Sequence, residues 1–190
     1  MRIELPVCFA RRVDIVAICG SLRAHSSNLA LLQAAARVAP AGVRIILYDG
    51  LGRLPHFNPD LDQEGGAPPP SVAELRRSLI AADAVLISSP EYAHGVPGAL
   101  KNMLDWLVST GELVDKPVAL LNAAPVGGSY AQASLRETLR TMNWNVVVEA
   151  SRTEPFIRLK IIGELTDEAS LANLALAIAA LVRAVELRER

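Results

Sequence analysis

The chain is poor in the features that mark specialised classes. Its 190 residues include only two cysteines, Cys8 and Cys19, and three histidines. The cysteines form no C-x-x-C pair and have no His or Cys cluster beside them, so no zinc-ligand spacing is present and no metal is expected. Both read as reduced thiols. Cys19 closes an apolar run, where a small buried hydrophobe is a better reading than a redox nucleophile. Charge of either sign is not in excess: 19 Lys and Arg stand against 20 Asp and Glu, for a net charge of -1. Such a balance offers no field to gather a polyanion, so nucleic acid is not expected as a partner. Long apolar runs are also missing. Leu171 to Val182 is broken by Asn173 and falls short of the roughly 20 residues of a membrane-spanning helix, so no membrane association is expected. The opening MRIELPVCFARR carries Glu4 and Pro6 and lacks the apolar core of roughly 7 to 15 residues found in secretory signals. A cytoplasmic location is the resulting expectation.

What is present is a hydrophobic share of 51% with 21% charged residues, the composition of a folded globular chain rather than a disordered one. The run Val13 to Cys19 is β-branched and nearly all apolar, as suits a strand buried on both faces of a parallel sheet. It stops at Gly20. From Asn28, Leu29, Leu31, Leu32 and Ala35 recur at helical spacing up to Pro40. The alternation repeats: strands are predicted at 43–48, 84–88, 117–122 and 145–149, and helices at 72–82, 98–109, about 130–142 and 167–187. Asp167 and Glu168 suit the start of the last helix, where the helix dipole favours negative charge. Five βα units predict an α/β fold with a five-stranded parallel sheet and helices on both faces. No composition shift marks a boundary, so 13–190 reads as one domain and 1–12 as an N-terminal extension. The Gly- and Pro-rich stretch Asp49 to Ser71 is long for a connection, and such connections are usually functional or mobile.

Three strand-to-helix loops carry the chemistry. Gly20 to Asn28 is dense in donors: helix N-terminal N–H groups, the hydroxyls of Ser21, Ser26 and Ser27, and the guanidinium of Arg23 together suit a phosphate. Ser26, Ser27 and Asn28 could instead merely cap the helix, a role that leaves Ser21 and Arg23 unexplained. The loop has neither the spacing of a P-loop nor the second glycine of a dinucleotide fingerprint, and Gly50-Leu51-Gly52 is followed by prolines that bar a helix there. The second loop, Pro90-Glu91-Tyr92-Ala93-His94-Gly95-Val96-Pro97-Gly98, follows the third strand. In a sheet of order 2-1-3-4-5 it and the first loop flank the switch-point crevice, and it would make a wall for a flat aromatic ligand. Within it, His94 reads slightly better as a surface residue, and Glu91 as a brace accepting backbone N–H groups rather than a general base. Lys101 and Asn102 suit the start of the next helix or a subunit contact. The third loop holds Gly127 and Gly128, whose exposed N–H groups could reach a ligand's oxygens.

G-S-L-R-x-x-S-x-N, then P-E-Y-x-H-G-x-P-G-x-L-K-N, then a Gly-Gly loop, resemble the NADPH-dependent FMN reductase family, with its quinone, chromate and azo-dye reductase members. Leu54 to Asp62 also looks like the family's loop after the second strand. The resemblance implies a flavodoxin-like three-layer sandwich with sheet order 2-1-3-4-5. It implies FMN held at its phosphate by Ser21, Arg23, Ser26 and Asn28, beside which the Ser27 hydroxyl of the loop also stands. Pro90, Glu91, Tyr92, Ala93, His94 and Gly95 would form the wall beside the isoalloxazine, and Gly127 and Gly128 would complete the site. Many members have Asn where this chain has Ala93, so any contact of that amide is lost here. A homodimer or homotetramer is implied, to whose interface Trp106 and Leu107 could contribute, although core packing suits them at least as well.

The reaction implied is hydride transfer from NADPH or NADH to FMN and on to a small-molecule acceptor: a quinone, free flavin, metal oxyanion or azo compound. The flavin carries that chemistry, so no catalytic side chain is expected. Two other classes remain at this stage. One is a flavodoxin-type electron carrier, against which the near-neutral charge argues because docking to basic partners would have little net field to use. The other is a non-catalytic flavin-binding sensor.

Overall fold

The structure is a computed structural model that describes residues 11–124, 128–155 and 167–189. Strands β1 (Val13–Cys19), β2 (Val43–Tyr48), β3 (Ala84–Ser88), β4 (Pro117–Ala124), β5 (Asn145–Val146) and β6 (Arg152–Pro155) form one sheet. Between and after them lie α1 (Ser27–Val38), α2 (Pro70–Ala81), α3 (Gly98–Asp105), α4 (Ser129–Thr141) and α5 (Glu168–Arg188). All pairings are parallel and the order is β2-β1-β3-β4-β5. This is the flavodoxin-like winding that the sequence predicts.

Alternation along β1 splits the core into two layers. Val13, Ile15 and Ala17 face α1 and α5, where they meet Leu31, Leu32, Leu174, Ile178 and Leu181. Val16 and Ile18 face the other side and pack with Leu75, Leu79, Met103, Leu104, Leu135 and Leu139 of α2, α3 and α4. Helix α5 has 21 residues and is long and apolar enough, by length and composition, to cross a membrane. Its Leu174, Ile178, Leu181, Val182 and Val185 instead lie buried in the first layer, so that apolarity belongs to the core. Its start is capped by Asp167, whose carboxylate accepts the Ser170 N–H at 3.1 Å.

Three elements differ from the sequence expectation. Helix α2 opens at Pro70 rather than Val72, because proline at the first helical position lacks only an N–H that would go unpaired there. Helix α3 ends at Asp105 instead of Ser109: Leu107 and Val108 bond back only three residues, to Leu104 and Asp105, and the last turn tightens. The fifth strand is interrupted, so the sheet has six strands rather than five. After Val146 the chain turns through a single 3-10 turn at Val148–Ala150 and returns as β6 beside the upper half of β4. At the break, the Ser151 hydroxyl accepts the Leu120 N–H at 3.1 Å, satisfying a backbone group that a continuous strand would have paired.

The long connection after β2 is fastened down. The Asn102 side chain accepts the Phe57 N–H at 2.7 Å and donates to the Pro55 carbonyl at 2.9 Å. Buried Trp106 donates its indole N–H to that same carbonyl at 2.8 Å and meets the Phe57 ring edge-on at 5.1 Å. Arg76 grips the Asp62 carboxylate at 2.8 and 2.9 Å and also donates to the Trp106 carbonyl. Trp106 and Leu107 are thus core residues, and Asn102 anchors a loop.

Candidate functional site

The carboxyl ends of β1, β3 and β4 lie side by side, and each leads into a loop that opens a helix. The first of these loops is pinned at its root. Gly20 donates its N–H to the Ser88 carbonyl at 2.8 Å, and a Cβ on Gly20 would stand only 2.9 Å from Ser89 Oγ and 3.0 Å from Leu100. Only glycine lets β1 leave the sheet so close to β3.

Ser26 occupies the N-cap position of α1 in extended geometry, yet its side chain makes no capping hydrogen bond. Its hydroxyl is buried beside the Cys19 thiol, 3.7 Å away. No carboxylate stands in the first turn of α1 either. The helix therefore presents uncapped N–H groups and the positive end of its dipole to the space above Ser21 to Ser27. The simple capping role open to Ser26 in the sequence is not the one it plays here. Arg23 is exposed, and its N–H bonds the Ser21 hydroxyl at 3.3 Å, which curls the loop over that space. Ser27 is half-buried in the first turn. Asn28 is 3% exposed, and its amide oxygen accepts both the Ser88 hydroxyl at 2.8 Å and the Ala123 N–H at 3.1 Å. It holds the start of α1 against β3 and β4 together. Burial pushes the Cys19 thiol above its ordinary pKa, consistent with a packed hydrophobe rather than a thiolate nucleophile.

The second loop is a tight hairpin. Tyr92 and Gly95 exchange both backbone hydrogen bonds, at 3.1 and 2.9 Å, around Ala93 and His94. Both central residues have positive φ, 48° and 59°, the pattern of a type I′ turn that favours Asn and Gly. Two contacts brace this hairpin against α4. The Glu91 carboxylate accepts the Ala131 N–H at 2.8 Å, and the His94 ring stacks on Tyr130 with centroids 4.2 Å apart and an interplanar angle of 18°. A third links it to the first loop, where the Tyr92 and Ser21 hydroxyls stand 3.4 Å apart. Pro90 joins the hairpin to β3, and its carbonyl accepts the Ser89 hydroxyl at 2.9 Å.

Of the third loop, Gly128 is the N-cap of α4 in left-handed geometry, with φ 83°. Gly127 lies outside the described residues. The site thus gathers Ser21, Arg23, Ser26, Ser27 and Asn28 with Pro90 to Gly95 and Gly128 along neighbouring strand ends. Sequence patterning passes over Ser88 and Tyr130, which hold the two loops in place. Nothing local marks Ser88, and Tyr130 stands at the start of the helix after the third loop without any sign that it meets His94. Among the described residues, no group of three or more His, Cys, Asp or Glu side chains could hold a metal.

Comparison with known proteins gives the chain's relatives and its fold neighbours. Residues 13–154 match the family described as NADPH-dependent FMN reductase. The chain is 30% identical over 172 residues to a quinone reductase of Escherichia coli strain K12, covering 87% of this chain and 91% of that one. It is 40% identical over 131 residues to an NAD(P)H-dependent FMN reductase of Pseudomonas aeruginosa, covering 67% and 69%. Among solved structures it superposes on FerB, a flavoenzyme NAD(P)H:(acceptor) oxidoreductase from Paracoccus denitrificans. The TM-score is 0.78 with 29% identity, over 92% of this chain and 98% of FerB.

Proposed function

Because this chain belongs to the NADPH-dependent FMN reductase family, we propose that it seats FMN across the ends of β1, β3 and β4 and passes hydride from NADPH or NADH to a quinone, free flavin, metal oxyanion or azo compound. The observation that carries the reading is the uncapped start of α1. A helix end with free N–H groups, beside the serine hydroxyls and an exposed arginine, is chemically matched to the FMN phosphate. In this reading Ser21, Arg23, Ser26 and Ser27 donate to the phosphate, while Asn28 acts through its backbone and the remaining capacity of its amide. Pro90, Glu91, Tyr92, Ala93, His94 and Gly95 form a rigid wall for the ring system, and Gly127 and Gly128 close the far side.

Bound FMN supplies the hydride acceptance and donation; the residues of the chain orient it. Glu91 and His94 keep the wall fixed to α4, so the Ala93 and His94 N–H groups at the hairpin's tip are preorganised for charge on the reduced ring. The substrate side is bordered by the exposed rings of Tyr92 and Tyr130, 55% and 59% accessible, an open rim that admits planar acceptors of varied size. The same reading places the enzyme in the cytoplasm as a homodimer or homotetramer.

The test is direct. The purified protein is expected to carry a flavin spectrum and to oxidise NADPH or NADH with a quinone, FMN or ferricyanide as acceptor. Flavin retained without nucleotide oxidation would move the protein to the carrier or sensor class, and failure to bind FMN would overturn the reading.

A further inference from the structure

A cavity of about 280 Å³ opens beside the third loop, between α4 and the interrupted edge of the sheet. Ser129, Gln132 and Arg136 line it from α4, and Ser151, Arg152 and Thr153 from the strand side. Two of these carry positive charge, and no carboxylate is found among the described lining residues. Arg136 reaches in because residues 128, 132 and 136 share one helical face.

The polar atoms here are unusually short of partners. Among the described residues, four buried side-chain atoms lack a hydrogen bond; one of them, Arg136 Nε, belongs to a lining residue, and two more, the amide atoms of Asn122, lie behind the lining. Asn122 is 1% exposed and lies two residues beyond Leu120, another lining residue, on the same face of β4. It is also in register with Thr153. Buried donors are normally satisfied, and a guanidinium nitrogen left bare is among the costlier exceptions. The break between β5 and β6 is what opens the edge, since Ser151 replaces a strand partner there.

We propose that this cavity is a second oxyanion site, separate from the Gly20 to Asn28 loop, which takes a phosphate group on Arg136 and Arg152. A phosphate dianion matches this lining, with its oxygens accepting from both guanidinium groups and from the nearby hydroxyls of Ser129 and Thr153. The phosphate could arrive as the free ion or as the ribose 2′-phosphate of NADPH. The second source rests on the reductase reading above; the first does not.

The experiment uses the FMN-loaded protein, in which the first loop is already filled. Inorganic phosphate is expected to raise the melting temperature relative to chloride at equal ionic strength, and Arg136→Met or Arg152→Gln to weaken that phosphate binding about tenfold or more. Should Arg136→Met fail to fold, Arg152→Gln carries the test. In parallel, the ratio of kcat/KM for NADPH over NADH is measured in each variant. Loss of the phosphate effect with an unchanged ratio assigns the site to the free ion; a fallen ratio assigns it to the nucleotide 2′-phosphate. A phosphate shift that persists undiminished in both variants overturns the proposal, as does no phosphate shift together with an unaltered ratio. A protein that oxidises neither nucleotide would sink the reductase reading alone and leave the phosphate titration to decide this one.

Discussion

Glu91 and Ala131 are joined by a 2.8 Å hydrogen bond from the Ala131 N–H to the Glu91 carboxylate, so the wall loop after β3 and the helix after β4 are held as one unit. The contact places a negative charge over the first turn of α4, where the helix dipole favours it. No other acidic group stands in that turn.

Glu91→Ala is expected to cost about 1–2 kcal/mol of stability, since it removes a charge-assisted acceptor and leaves the Ala131 donor unpaired. Urea unfolding of the FMN-free protein measures this. Glu91→Gln, which keeps an acceptor oxygen, should lose less.

Ala93 has φ 48°, a left-handed conformation in which a Cβ crowds the following carbonyl. Replacing it by Asn or Gly should therefore raise stability by roughly 0.5–1 kcal/mol, read as a higher melting temperature. Ala93→Val, with its branched side chain, is expected to shift the melting temperature the other way.

Arg23 is exposed and makes no side-chain hydrogen bond that holds the fold among the described contacts. Arg23→Ala should leave the circular dichroism spectrum and urea midpoint unchanged while weakening FMN binding about tenfold, the effect of one charge-assisted contact. Flavin fluorescence titration gives the affinity, and an unchanged value would show the loop to have been misread.

Asn102 makes two bonds to the segment around Pro55 and Phe57. Asn102→Leu is expected to cost about 1–3 kcal/mol and to expose that segment, speeding amide exchange at Phe57 and proteolysis nearby. Amide exchange at Phe57 no faster than in the unsubstituted protein would mean that Trp106 and Arg76 suffice as anchors.

Lys116 is 3% exposed, and its ammonium donates to the Ile80 carbonyl at 3.2 Å and to that of Ala82. Burial pushes its pKa below the ordinary 10.5. Between the lowered folded value and 10.5 the unfolded chain binds more protons than the folded one, so this group's contribution to stability rises with pH across that window. The difference in urea midpoint between the unsubstituted protein and Lys116→Met should therefore grow in the lysine's favour as the buffer is taken alkaline.

Much of this was legible from residue order alone. The apolar run Val13 to Cys19, the stop at Gly20 and the helical spacing after Asn28 define β1, its loop and α1 because every signal involved is local. The hairpin at Tyr92 to Gly95 is not legible in this way, because Ala93 and His94 stand where a type I′ turn is signalled by Asn and Gly. What else escaped was decided by contacts between distant residues: Asn28 with Ala123, 95 positions away, or Trp106 with Pro55, 51 away. The break in the fifth strand belongs to the same group. Val146 to Val148 reads as a continuous β-branched run, and only the Ser151 hydroxyl meeting Leu120 shows why pairing halts there.

The pair of hydrogen bonds that Asn28 accepts from Ser88 and Ala123 has a kinetic consequence. The start of α1 is locked to two central strands, so it takes its final position as the sheet assembles and need not await a ligand. A phosphate arriving at that helix end would find it already built, and its capture rate would follow diffusion and ionic strength rather than a slow rearrangement of the protein.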